Sequence, residues 1–160
     1  MYRTAGRTGD RVRAAWTSPA IMLWPLGPAE ALPRQARRLV DAALRTLPVR
    51  SERVQDALLM VQELASNAAE HGAPPYELRV YHAPETTTVE VLDGGERLPV
   101  LSRHPVPELT LDDVDALELV VLERGRGLVT VAALSEGRCG VRPLPGRPGK
   151  AVWFAIPRDG

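Results

Sequence analysis

The stretch Glu63-Leu64-Ala65-Ser66-Asn67-Ala68-Ala69-Glu70-His71-Gly72 decides the reading of this chain. It lies near the end of a strongly helical segment and carries a carboxylate, a carboxamide and a histidine four residues apart, ahead of a glycine that ends the helix. Residues at i and i+4 share a helix face, so Glu63, Asn67 and His71 form one polar stripe among Ala, Leu and Val. A base and a metal ligand would stand side by side there. Taken alone, the stripe reads first as a solvated helix face, although asparagine has poor propensity for a helix interior. His71 beside Gly72 reads equally as a C-terminal residue interacting with the helix dipole.

Working outward, Ser51 is placed to cap this helix, and Val54, Ala57, Leu58, Val61, Leu64, Ala65 and Ala68 make its apolar stripe. Pro74-Pro75 prevents continuation past Gly72. Upstream, Leu32, Ala36, Leu39, Val40, Ala43, Leu44 and Leu47 recur at helical spacing from about Glu30 until Pro48 stops the run. Before them, residues 20 to 26 read as a short extended run that Pro25 limits to a sheet edge. Downstream, residues 76 to 82 and 86 to 92 alternate with period two and are rich in β-branched side chains, a hairpin turning near Pro84. A long proline-containing loop follows from residue 96 to 110. Thr110 with Asp113 resembles a capping box for a helix from Asp112 to Leu122. A further helix spans about Leu128 to Ser135, and strands near Arg138 to Leu144 and Ala151 to Ile156 close the chain. This order predicts an α+β, two-layer sandwich: a mostly antiparallel sheet with helices on one face.

Composition bounds the function. With 160 residues the chain suits one domain,. Residues 1–15, polar and arginine-bearing, are expected to be a disordered arm, with the folded domain over 16–160. The formal net charge is zero, so no global field gathers nucleic acid or an acidic membrane,. Nineteen of the twenty basic residues are arginine, and the single lysine is Lys150. One cysteine, Cys139, forms no intramolecular disulfide and no cysteine-based zinc site,. No apolar run is long enough to span a bilayer, and no start resembles a cleavable leader, so a cytoplasmic location is expected.

Two more short motifs stand in order after the opening one. Asp93-Gly94-Gly95 closes the second hairpin strand; such a triplet alone is most often a turn, but a strand-end carboxylate can accept a hydrogen bond from an exocyclic amine. Gly125-Arg126-Gly127-Leu128 precedes a helix, and glycine-rich turns at helix starts present free N–H groups that hold phosphates. Each is weak alone, and their sequence is specific. Glu63-Leu64-x-x-Asn67-Ala68-x-x-His71-Gly72, then Asp93-x-Gly95, then Gly125-x-Gly127-Leu128 resembles the box order of the Bergerat-type (GHKL, histidine-kinase-like) ATP-binding fold. Within it, the chain is similar to the small bacterial anti-sigma-factor serine/threonine kinases. Gly140-Val141-Arg142-Pro143 and Gly149-Lys150-Ala151-Val152-Trp153-Phe154 extend the likeness over residues 20 to 157.

The resemblance implies the following roles. Asn67 ligates Mg²⁺ through its side-chain oxygen, a hard donor of the kind that ion prefers. Glu63 orients or deprotonates the attacking hydroxyl. Asp93 fixes the adenine of ATP, Gly95 lets the base pack closely, and Gly125, Arg126, Gly127 and Leu128 belong to the phosphate turn. His71 and Lys150 complete the cofactor-binding set, Lys150 as a cation near the phosphates or else a solvated hairpin residue. Residues from about Glu96 to Arg124 form an acidic lid. Ala151 stands where many relatives carry a threonine hydroxyl near the phosphates, and Cys139 where short relatives often carry tryptophan. The implied function is a regulatory kinase that sequesters a sigma factor or other regulator and phosphorylates a STAS-type antagonist. The alternatives are a catalytically weak or inactive ATP-gated switch, or a histidine-kinase ATPase-like fragment. The last ranks lower because the sequence has no helix pair bearing a phosphoacceptor histidine. Relatives are commonly homodimers through the first strand and helix, which exposure of Leu23 or Trp24 would support.

Overall fold

A computed structural model describes residues 20–97 and 126–158 of the chain. The expected arm over residues 1–15, the helix from Asp112 to Leu122, Gly125 and nearly all of the lid lie outside them. Among the described residues the order is β1 (Ala20–Leu26), a 3₁₀ turn (Ala29–Ala31), α1 (Leu32–Arg45), α2 (Ser51–His71), β2 (Tyr76–His82), β3 (Thr86–Asp93), α3 (Arg126–Leu134), β4 (Cys139–Pro143) and β5 (Lys150–Pro157). The five strands form one antiparallel sheet in the order β1-β2-β3-β5-β4. β1 is an edge strand, where Pro25 removes no ladder hydrogen bond that the sheet interior needs,. The expected α+β sandwich is the fold observed.

Period-two alternation decides which side of the sheet the helices cover. Leu78 and Val80 of β2, Val89 and Val91 of β3, and Val152, Phe154 and Ile156 of β5 are buried in one cluster with Leu32, Ala36, Val40 and Leu44 of α1 and Val54, Ala57, Leu58, Val61, Leu64, Ala65 and Ala68 of α2. Each large side chain buried this fully contributes about 1.5–3 kcal/mol relative to exposure, so α2 is held chiefly by its apolar stripe. It packs on β3 and β5, with α1 and α3 against its flanks. Gln35 pins the entry to α1, accepting from the Gly27 N–H at 2.9 Å and donating to the Gly27 carbonyl at 3.0 Å.

The opposite face carries the residues between. Arg142 of β4 reaches across β5 to Glu90 of β3, its Nη2 3.0 Å from both carboxylate oxygens. Leu92, Ala151 and Leu144 form a small second cluster there. Ala151 therefore faces away from the helices.

One local expectation needs correction. Ser51 does not cap α2: the helix begins at Ser51, and Arg50 occupies the extended cap position with no side-chain hydrogen bond. Gly72 ends α2 as expected, with an extended backbone (φ −94°, ψ −168°). Its lack of a side chain has a different cause, found in the site.

Candidate functional site

The end of α2 and the ends of β3 and β5 converge. Asp93 and Lys150 are direct partners in the β3–β5 register, and their parity sends both side chains to the covered face beside the last turn of α2. Asp93 is only 2 % exposed and Lys150 5 %. The Lys150 ammonium donates to Asp93 Oδ1 at 3.0 Å. The same oxygen accepts the Gly95 N–H at 2.7 Å and the Ala73 N–H at 3.3 Å. A buried carboxylate is costly unless paired and hydrogen-bonded, and here one ammonium and two amides meet that need.

Gly72 forms the wall behind this carboxylate. A Cβ there would lie 2.6 Å from the Asp93 Cγ and 2.6 Å from the Ala68 carbonyl oxygen, so only glycine lets β3 approach the helix end so closely,. Gly95 is bare for a related reason: a Cβ would stand 2.9 Å from Asp93 Oδ1 and 3.3 Å from the Lys150 nitrogen. Residue 95 thus leaves open the space beside the pair into which a flat group could come.

Asn67 lies one turn back from the helix end, about 6 Å along the axis from His71, and Glu63 one turn further. Both are half-buried, neither core nor fully solvated. The Asn67 Nδ2 is buried and finds no hydrogen-bond partner among the described residues. Buried amide groups are nearly always paired, so this N–H₂ group, on a residue that the sequence had singled out, is a donor open to a ligand oxygen,. A solvated helix face does not describe it. The carboxamide oxygen and the Glu63 carboxylate are hard oxygen donors, the kind that suit Mg²⁺ and phosphate-bearing ligands, so these residues fit the expected MgATP.

The remaining candidates are placed as follows. Arg126, Gly127 and Leu128 open α3, which packs on α2, and Leu128 is buried against the core. His71 stands apart from the Asp93 cluster: its side chain is 72 % exposed, with Nε2 3.7 Å from the Glu70 carboxylate. Lys150 is neither solvated nor extended; it is folded onto Asp93. Ala151, next along the strand, lies on the other sheet face, so the position expected to carry a phosphate-directed hydroxyl does not point into this site,. Sequence reasoning missed the Ala73 amide and the wall formed by Gly72. Strand parity from Val152 and Phe154 was the available signal for Lys150, since residues two apart face the same way.

No helix among the described residues is long and apolar enough to cross a membrane. Nor do the described residues hold a group of three or more His, Cys, Asp or Glu side chains that could bind a metal without a ligand's help. No curated protein matches the chain. A family model described as a histidine kinase-like ATPase domain matches residues 28–154. That span runs from just before the 3₁₀ turn into β5 and takes in Glu63, Asn67, Asp93, Gly95 and Lys150, and the family implies ATP binding. The chain belongs to the histidine kinase-like ATPase domain family.

Proposed function

We propose that this protein is a regulatory serine/threonine kinase of the anti-sigma-factor type, which sequesters a sigma factor or another regulator and phosphorylates a STAS-type antagonist using MgATP. The observation that carries the reading is the orphan Asn67 amide in line with Glu63 on α2, with the fixed Asp93 carboxylate at the helix end. Glu63 and Asn67 would supply a proton acceptor and a metal ligand along α2, and Asp93 at the end of β3 an adenine acceptor.

Asp93 would hold the adenine amine, with Gly95 giving the ring room. Asn67 would offer its side-chain oxygen to Mg²⁺. Bound MgATP supplies the γ-phosphoryl group and the metal charge that offsets its negative oxygens. Glu63 would take the proton from the substrate hydroxyl as that oxygen forms its bond to phosphorus and the bond to the ADP oxygen breaks. Such transfer depends on positioning and charge neutralisation, with little covalent work for the protein. A homodimer through β1 is part of the proposal, supported by Ile21 at 65 % and Leu23 at 52 % exposure on that edge strand; Trp24 is half-buried against the core.

The test is transfer of label from Mg[γ-³²P]ATP to a STAS protein encoded beside this chain. Glu63→Ala is expected to abolish labelling while ATP binding persists. ATP binding without transfer by the wild-type protein would refute the kinase reading and leave an ATP-gated binding switch. Labelling that survives Glu63→Ala would remove Glu63 from the base role.

A further inference from the structure

Lys150 is the chain's only lysine, and its ammonium is committed at the base end of the site: 3.0 Å from Asp93 Oδ1 and 3.4 Å from the Gly95 carbonyl oxygen. We propose that Lys150 is a positioning residue for the nucleobase, acting through Asp93, and that it does not serve the phosphates. This rests on the nucleotide-binding reading above.

Three observations converge. Asp93 and Lys150 are register partners on one sheet face, so their Cβ atoms start about 5 Å apart and the long lysine stem turns toward the carboxylate instead of reaching outward,. The Lys150 side chain is 6 % exposed, and drawing the ammonium away to a phosphate would strand a buried carboxylate,. Finally, the ammonium, the Gly95 N–H and the Ala73 N–H converge on the same oxygen, Oδ1, which sets the plane of the carboxylate. An acceptor held in a set plane selects a ligand by where its donor lies, and in an adenine nucleotide that donor is the 6-amino group. Lys150 also ties Asp93 to the Gly95 carbonyl, so the acceptor and the open space beside it move together.

The experiment is calorimetric titration of the full chain with ATP, ADP, AMP and purine riboside triphosphate, which has hydrogen in place of the 6-amino group. Lys150→Met is expected to weaken all three adenine nucleotides by a common factor of about ten or more, the worth of one charge-assisted hydrogen bond. The wild-type preference for ATP over purine riboside triphosphate is expected to shrink by a similar factor, which loss of folded protein alone would not do. Lys150→Gln, which keeps a donor, should fall between, and it carries the test if circular dichroism shows the methionine variant unfolded. A loss that grows with the number of phosphates would overturn the proposal in favour of phosphate contact. An unchanged base preference would overturn it in favour of a merely structural pair. Wild-type protein that binds no ATP would defeat the nucleotide reading and this role with it, whereas wild-type binding with unaltered variants defeats this role alone.

Discussion

Removing either member of the Asp93–Lys150 pair should cost far more stability than the second removal adds. The charges are 3.0 Å apart with side chains 2 % and 6 % exposed. At an effective dielectric constant near 20, their gross attraction is about 5–6 kcal/mol, most of it offset by the cost of desolvating both. Breaking such a pair from one side leaves an uncompensated buried charge, which costs about 3–5 kcal/mol. The two sides are not equivalent. Lys150→Met leaves Asp93 with the Gly95 and Ala73 amides, which offset part of that cost, so about 2–4 kcal/mol is expected,. Asp93→Ala strands the ammonium on a 3.4 Å contact to the Gly95 carbonyl and also orphans those two amides, so about 3–5 kcal/mol is expected,. In the double variant no charge is left behind, and the loss should resemble that of Asp93→Ala alone. Urea unfolding measures all four proteins. With a slope of about 2 kcal/mol per molar, Lys150→Met should unfold about 1–2 M earlier and Asp93→Ala about 1.5–2.5 M earlier. The coupling should exceed about 2 kcal/mol, as for residues in one network. Single losses below about 1 kcal/mol, or a double variant whose loss equals the sum of the singles, would refute a buried and mutually dependent pair.

Two further variants probe the helix. Asn67→Ala removes a buried amide without a described partner and improves helix propensity, so the ligand-free protein should gain about 0.5–1 kcal/mol in urea unfolding,; ATP affinity in Mg²⁺ should fall at least tenfold, and a destabilised variant that still binds ATP would refute the assignment of this residue. Gly72→Ala sets an unfolded-state gain of about 0.4–1 kcal/mol against a Cβ placed 2.6 Å from a carbonyl oxygen and from the Asp93 carboxylate,. Overpacking of that kind costs about 1–3 kcal/mol, so the clash should win and thermal unfolding should move down by about 2–6 °C; an unchanged or raised midpoint would show that β3 does not need this close approach.

Much of the fold was legible because its signals are local. The apolar stripe of α2 and the alternation in β2 and β3 predict their element types from neighbouring residues alone, and nearly the same boundaries appear in the structure. Ser51 failed as a cap because whether the helix includes or follows such a residue depends on the approach of the preceding chain, here extended Arg50,. The spacing of short motifs singled out Asp93, Gly95 and Asn67, and the structure places Asp93 and Gly95 together at the end of α2. Their surroundings were not legible: the sequence showed Gly72 as a helix stop but not as the wall behind Asp93, and it did not show the burial of Lys150 against that carboxylate.

The sequence by itself determined periodicity, element order and the set of polar residues that do not suit a core. Those follow from backbone geometry, which repeats every 3.6 residues in a helix and every two in a strand. Only the tertiary structure decided what each polar residue meets. Asp93 and Lys150 are 57 positions apart in the chain, and their contact exists because β3 and β5 are register partners. A one-residue difference in that register would have turned Lys150 to the open face and Ala151 toward the helix. Long-range pairing, set by how the whole sheet packs beneath α2, made a lone lysine the counter-charge of a buried aspartate.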